Sequence, residues 1–184
     1  QLNTLVSATC EQVFNKAPVI KNELVNRDTL SSNITSARKQ LLFAMAEASG
    51  EERLGITQFP PQAMLYVTLL QQTGIHRKLE TGAYGFTDPD PESSLYGIWS
   101  DTEAFVRSQP ETRILDLYAH WAEAPFGLKQ GVMPILALAF IFAKRNNIAI
   151  YTDGMFQPEL SSSSWIRSGS ASNSSRTRWI SRTC

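Results

Sequence analysis

The chain has 184 residues, of which 42% are apolar and 18% charged. This composition is typical of a globular domain and excludes a protein disordered throughout. Seventeen basic and seventeen acidic residues cancel, so the total charge does not indicate a nucleic-acid or anionic-membrane partner. The last four arginines all follow residue 160 and no acid does, which leaves 13 basic (17 − 4) against 17 acidic residues in residues 1–160. This mildly acidic region argues against a nucleic-acid-binding module.

Cysteine usage and the longest apolar run exclude several further classes. Cys10 and Cys184 are far apart and have no Cys or His neighbour at metal-ligand spacing, so neither a zinc site nor a disulfide framework is predicted. The residues after Gln1 lack the pattern of a secretory leader, and we therefore expect a cytoplasmic protein. The apolar run at 131–143 is shorter than the about 20 residues of a membrane-spanning helix. It predicts a buried helix and no membrane association.

Apolar residues at three- and four-residue steps predict three helices in the first half of the chain. Their apolar faces are Leu2, Leu5, Val6, Cys10, Val13 and Phe14; Ile34, Ala37, Leu41, Ala44 and Met45; and Met64, Leu65, Thr68, Leu69 and Gln72. The apolar repeat of the first helix already begins at residue 2, at the very start of the sequence. We therefore expect the chain to be cut from a longer one. The second helix is predicted over 33–49 with an N-cap at Ser31 or Ser32, and the third from Pro61 to Gly74. Residues 78–91 are predicted as a loop.

The second half predicts three more helices and a β-hairpin. One apolar stripe is Leu95, Ile98, Trp99, Thr102, Phe105 and Val106, and a second is Ile114, Leu117, Tyr118 and Trp121. An apolar helix over 130–146 precedes β-forming residues on either side of Asp153-Gly154, a strong hairpin signal. The predicted fold is therefore mainly α: one multi-helix domain over 1–160 that ends in a β-hairpin.

The helix-helix-hairpin order of residues 112–158 is similar to part of a winged helix, with the hairpin as the wing. The helix before a DNA-contacting wing needs polar side chains that reach base edges. Here that helix is apolar on every side. We therefore expect a degenerate winged-helix-like part that serves packing or a partner.

Residues 161–184 differ from the rest of the chain. They contain ten serines and no Leu, Val, Asp or Glu, and Trp165 and Trp179 have no periodic apolar neighbours. We expect a disordered tail outside the core. Its abrupt start is typical of an out-of-frame reading, and one hypothesis is a frameshift or DNA junction near residue 160. A genuine disordered tail and a tail appended during cloning are the alternatives.

The sequence predicts no catalytic, cofactor-binding or metal-binding residues. His76 and His120 share no local motif with a cysteine or a paired carboxylate. Asp88, Asp90 and Glu92 alternate as calcium ligands can, but two prolines stiffen the run and the glycine and terminal glutamate of a calcium loop are absent. No glycine-rich phosphate loop occurs, and the sequons at Asn33 and Asn173 are interpreted as chance matches.

Several segments resemble one class of large proteins. They read APVIKNELVNR at 17–27, LSS at 30–32, RLGI at 53–56, FPP at 59–61, PFGLK at 125–129, and YTDG at 151–154 followed by Phe156. Residues 1–160 are similar to the helical region beyond the nucleotide-binding core of bacterial P-loop ATPase-type proteins of defence and mobile-element loci. The resemblance implies a parent protein that uses ATP. The Walker motifs are absent here, so no ATP-site residue carries over.

Two functions remain as expectations at this stage. The first is a non-catalytic helical interaction or regulatory segment, a fragment of a larger ATPase-like protein, whose partner is a protein or the remainder of that chain. The second is a small nucleic-acid-binding adaptor that uses the hairpin and the basic tail. A site assembled by tertiary contacts around His76 or His120 is the third and weakest interpretation.

Overall fold

Helices dominate the computed structural model of the protein, which describes residues 2–20, 22, 31–158 and 177–181. In this part of the chain the elements are α1 (Leu2–Val13), α2 (Ser32–Glu47), α3 (Pro61–Tyr66), β1 (His76–Lys78), β2 (Tyr84–Phe86), α4 (Tyr96–Arg107), β3 (Thr112–Arg113), α5 (Ile114–Ala122), α6 (Met133–Ala143), β4 (Ile148–Thr152), β5 (Met155–Gln157) and β6 (Thr177–Ser181). The mainly α fold class is confirmed. Among the described residues no helix is both long and apolar enough to cross a bilayer. Trp165, Asn173, Cys184 and the rest of the predicted tail apart from β6 lie outside the described residues.

The predicted second helix is confirmed as α2, and its cap is Ser31. The Ser31 hydroxyl accepts a hydrogen bond from the backbone N–H of Ile34 at 3.4 Å, which satisfies one of the helix's unpaired donors. The face that turns inward carries Ile34, Ala37, Leu41, Leu42 and Met45. The predicted first helix corresponds to α1. Val13 at its end and Phe14 just after it belong to the predicted apolar stripe, but they are 46% and 37% exposed. This end of the predicted stripe is therefore not buried in the described structure.

The third predicted helix contains a change of helical geometry. α3 continues into a π-helical turn at Val67–Gln71. The extra residue of a π turn shifts the helical phase, so that both Leu65-Tyr66 and Leu69-Leu70 point inward. Met64, predicted on the apolar face, is 57% exposed instead. The position of the helix is confirmed and part of its predicted face is wrong.

Residues 76–86 form a hairpin that the sequence analysis missed. β1 pairs with β2 in antiparallel register, with His76 opposite Phe86 and Lys78 opposite Tyr84. The prediction of a plain loop over 78–91 is wrong for this segment. Strands of three residues are too short for an alternating pattern to be visible in the sequence.

α6 is the centre of the core. All nine residues from Met133 to Ile141 are buried, and Leu138 is 0% exposed. The helix packs against α2, α5 and β2. The prediction that this helix must be surrounded by protein is confirmed.

The predicted hairpin is present as β4 and β5, with Asp153 and Gly154 at positive φ in its turn. It forms one side of a four-stranded antiparallel sheet in the order β3-β6-β4-β5. The order of elements α4, β3, α5, α6, β4 and β6 resembles that of a winged helix, with β6 between β3 and β4. The second strand of the wing is therefore β6, whereas the predicted one, β5, is an additional edge strand.

The position of β6 corrects the prediction for residues 161–184. Thr177–Ser181 pairs with both β3 and β4, and Trp179 is 0% exposed in the main core. The prediction that nothing in 161–184 contributes to the core is wrong for this strand. A single buried indole can anchor a strand because it removes 150–250 Å² from water. No apolar periodicity is needed for that.

Candidate interaction surface

His76 is a buried structural residue in a neutral hydrogen-bonded pair. Its side chain is 1% exposed and contacts the rings of Tyr84 and Phe86. Nε2 lies 3.0 Å from the carbonyl oxygen of Ser49, which can only accept, so Nε2 carries the proton. Nδ1 then accepts from the Tyr66 hydroxyl at 3.0 Å. Burial raises the pKa of Tyr66 to about 12 and lowers that of His76, so both groups are uncharged near neutral pH.

The lowered pKa of His76 predicts a pH dependence of stability. Because the folded state disfavours the imidazolium, the unfolded chain binds the extra proton first as the pH falls below 6.5. The stabilisation is fully present above that value and is lost as the pH falls toward the folded-state pKa. Urea denaturation at about pH 8 and about pH 5.5 should show a larger loss for the wild type than for His76→Gln. Both proteins contain the same carboxylates, so the contribution of these groups to the pH dependence cancels. Equal losses of stability in the two proteins would contradict this role of His76.

His120 lies close to the carboxylate of Asp101 in a partly exposed position. Its Nε2 lies 2.5 Å from Asp101 Oδ2, and its ring stacks on Phe105 at 4.3 Å. The pair joins α5 to α4. Neither His76 nor His120 is hydrogen-bonded to a serine, threonine or cysteine side chain within the described residues. The structure keeps the two histidines in separate environments and gives neither a nucleophile.

The acidic run after β2 is neutralised by cations of the chain itself. Asp88 accepts hydrogen bonds from Trp99 Nε1 at 2.9 Å and from Lys144 Nζ at 2.8 Å, while Asp90 pairs with Arg77 at 2.6 Å. Lys144 also lies 3.0 Å from Glu103. Among the described residues no group of three or more potential ligands could hold a metal ion. These carboxylates connect the loop to α4 and to the end of α6.

Two clefts meet at Arg145, just beyond α6. The first has a volume of about 430 Å³ and the second about 300 Å³, and both are lined by Ser49, Phe142 and Arg145. The first cleft is completed by Ala46, Ile141, Ile148, Ile150, Phe156, Gln157 and Pro158, and the second by Gly50, Leu79, Tyr84, Gly85, Phe86, Ala143 and Asn146. We call the two clefts with their shared lining residues the Arg145 groove, which lies between α2, the β1–β2 hairpin and β5.

The Arg145 groove combines aromatic and aliphatic side chains, polar surface and one unpaired cation. The Arg145 side chain has no ion pair or hydrogen bond with any described residue. Phe142 and Phe156 supply aromatic surface, and Phe156 is 46% exposed. The hydrogen bond from His76 fixes the Ser49 carbonyl, and with it the loop that both clefts share. An unpaired guanidinium beside aromatic side chains suits a carboxylate that is carried next to an apolar group.

The features that would suit DNA binding are covered or paired. α6, in the position of the groove-reading helix of a winged helix, is buried by α2 and α5. In the wing, Arg178 pairs with Glu111 at 2.8 Å. The exposed tip of β5 presents Met155, which is 65% exposed and apolar. Arg167, Arg176 and Arg182 lie outside the described residues.

Sequence patterns do not single out Arg145. Its place between two clefts depends on the β1–β2 hairpin and on β5, which approach it from distant parts of the chain. The periodicity of residues 130–146 contains no signal of that surface. Comparison of the chain with protein-family models, with curated proteins and with solved structures finds no match.

Proposed function

We propose that residues 1–160 form the helical interaction segment of a larger, cytoplasmic P-loop ATPase-type protein, and that the Arg145 groove is the surface on which another part of that protein docks. Support for the parent comes from the sequence resemblance of residues 1–160. The observation that carries the docking surface is the unpaired guanidinium that lines both clefts beside aromatic side chains. In this proposal the segment acts by binding another part of the protein and catalyses no reaction of its own.

The groove determines the chemistry of its occupant. Its two clefts share Ser49, Phe142 and Arg145, and we expect one extended segment to occupy both. Phe142 contacts both clefts, while Ile148 and Ile150 line only the first, which suits an aliphatic or aromatic side chain. A carboxylate beside that side chain would pair with Arg145. We therefore expect the occupant to be an acidic, apolar segment of the nucleotide-binding part.

The test begins with the DNA on both sides of the coding region, translated in all frames. We expect a Walker-type phosphate loop upstream in phase with Gln1. The upstream region is then produced separately and its affinity for this chain is measured by calorimetry. Arg145→Glu should weaken binding by about tenfold or more. Lys39→Glu is the matched control, because it makes the same charge change at an exposed residue outside both clefts.

Two outcomes would contradict the proposal. An in-phase start codon near Gln1 with no phosphate loop upstream would contradict the hypothesis of a parent ATPase. Equal binding by the Arg145→Glu and Lys39→Glu variants would remove the Arg145 groove as the docking surface. A salt-dependent affinity of the chain for DNA would instead favour the nucleic-acid adaptor.

A further inference from the structure

The sheet is completed by a strand that is distant in the sequence. β6 lies between β3 and β4 and pairs with both in antiparallel register. Neighbouring strands are about 4.8 Å apart, so β3 and β4 are separated by about twice that distance and do not pair with each other. The space between them is a slot with unpaired backbone groups on both sides, which β6 fills.

The slot is shaped for an extended segment with a large central aromatic residue. Trp179 faces Thr112 on one side and Ile150 on the other in the strand register. Its ring stacks on Phe140 of α6, with 6.1 Å between the centroids and 16° between the planes. Since Trp179 is 0% exposed, the slot opens directly into the core. An empty slot would expose the side of α6.

The connection to β6 is long, and it joins strands on opposite sides of β4. β5 and β6 are both antiparallel to β4, so they run parallel to each other on its two sides. A parallel connection requires a crossover of about a dozen residues or more. The 18 residues of 159–176 meet this requirement and can span at most about 60 Å. That length reaches the slot of the same molecule and also that of a neighbour.

The fit of β6 in the slot leaves polar atoms without partners. Among the described residues, neither the Nε1 of Trp179 nor the Oγ1 of its register partner Thr112 has a hydrogen-bond partner, and both atoms are buried. Each such atom reduces the stability with which the strand is held. The strand is therefore retained by its backbone pairing, one indole and the Arg178–Glu111 ion pair.

We propose that the slot between β3 and β4 is a strand-acceptor site and that a second copy of this chain can fill it with its own Thr177–Ser181. The pairing in the exchanged dimer would be identical to that seen here, because the donor strand has the same sequence. Local concentration favours the strand of the same molecule in dilute solution. Shortening the connection removes that advantage and makes the second copy the only donor.

The test is a deletion of residues 163–176, which leaves four connecting residues. Four residues span at most about 14 Å and are far fewer than the dozen or so residues that a parallel crossover requires. We expect this variant to be a dimer by size-exclusion chromatography with light scattering, and to keep a single cooperative melting transition. The control is the same deletion with Trp179→Gly, which lacks the indole anchor and should lose the dimer.

The other outcomes contradict the proposal. A deletion variant that stays monomeric at high concentration would show that a second copy does not supply the strand. If the deletion variant is insoluble, full-length Trp179→Gly with a synthetic peptide of residues 177–181 decides the question. A saturable rise in the melting midpoint, absent with a peptide that has glycine at the Trp179 position, supports the acceptor site. No rise overturns it.

Discussion

Leu138→Asp is expected to unfold the protein. Leu138 is 0% exposed on α6, and its neighbours Ala137 and Ala139 are also 0% exposed, so no rotation of the helix can bring the carboxylate to water. A buried carboxylate without a cationic partner costs several kcal/mol, either as a charge or through forced protonation. We expect a loss of more than about 4 kcal/mol in the free energy of unfolding, a large part of the stability of a domain of this size.

The matched control is Leu138→Met, which keeps an apolar side chain of similar volume. It should cost less than about 1.5 kcal/mol. Circular dichroism during urea denaturation compares the two variants, and size-exclusion chromatography detects aggregation of the unfolded chain. A soluble Leu138→Asp protein with the wild-type denaturation midpoint would show that α6 is not the centre of the core.

Periodicity predicted the long helices because their burial is one-sided and regular. The stripe of α4 through Ile98, Trp99 and Val106 appears in the structure as predicted. α6 was identified by the opposite property, since a helix without a polar face has to be surrounded by protein. In both cases the signal lies within one element and does not depend on what packs against it.

The features that the sequence did not predict depend on short or distant contacts. The π turn at Val67–Gln71 changes the helical phase within five residues, and no residue in that turn marks the change. The strands β1 and β2 have three residues each and are held partly by the rings around His76. His76 and Ser49 lie 27 positions apart, so their hydrogen bond cannot be read from local spacing.

The candidate site has the same dependence on tertiary structure. The resemblance and the lack of catalytic motifs led to the expectation of an interaction segment, but they did not place a surface. Arg145 follows α6, Tyr84 belongs to β2 and Phe156 belongs to β5, and only the fold brings these three residues to one groove. Sequence reasoning identifies an element from its own residues. A groove belongs to several elements at once.

Trp179→Ala is the prediction that tests the sequence interpretation of the tail most directly. The substitution removes a fully buried indole that stacks on Phe140, and it leaves a cavity beside α6. Replacing a buried tryptophan by alanine costs about 3–5 kcal/mol. We expect a loss of that size in urea denaturation followed by circular dichroism, although Trp179 belongs to a segment whose composition predicts no core element.

Trp179→Phe is the control for the aromatic anchor. Phenylalanine keeps a ring next to Phe140 and removes the buried Nε1 donor that has no partner among the described residues. Part of the lost packing is offset, because that donor no longer has to be buried unpaired. We expect this variant to lose less than half of the free energy that Trp179→Ala loses. If instead Trp179→Ala leaves the denaturation midpoint unchanged, β6 does not contribute to the core, and the interpretation of 161–184 as a non-core tail is restored.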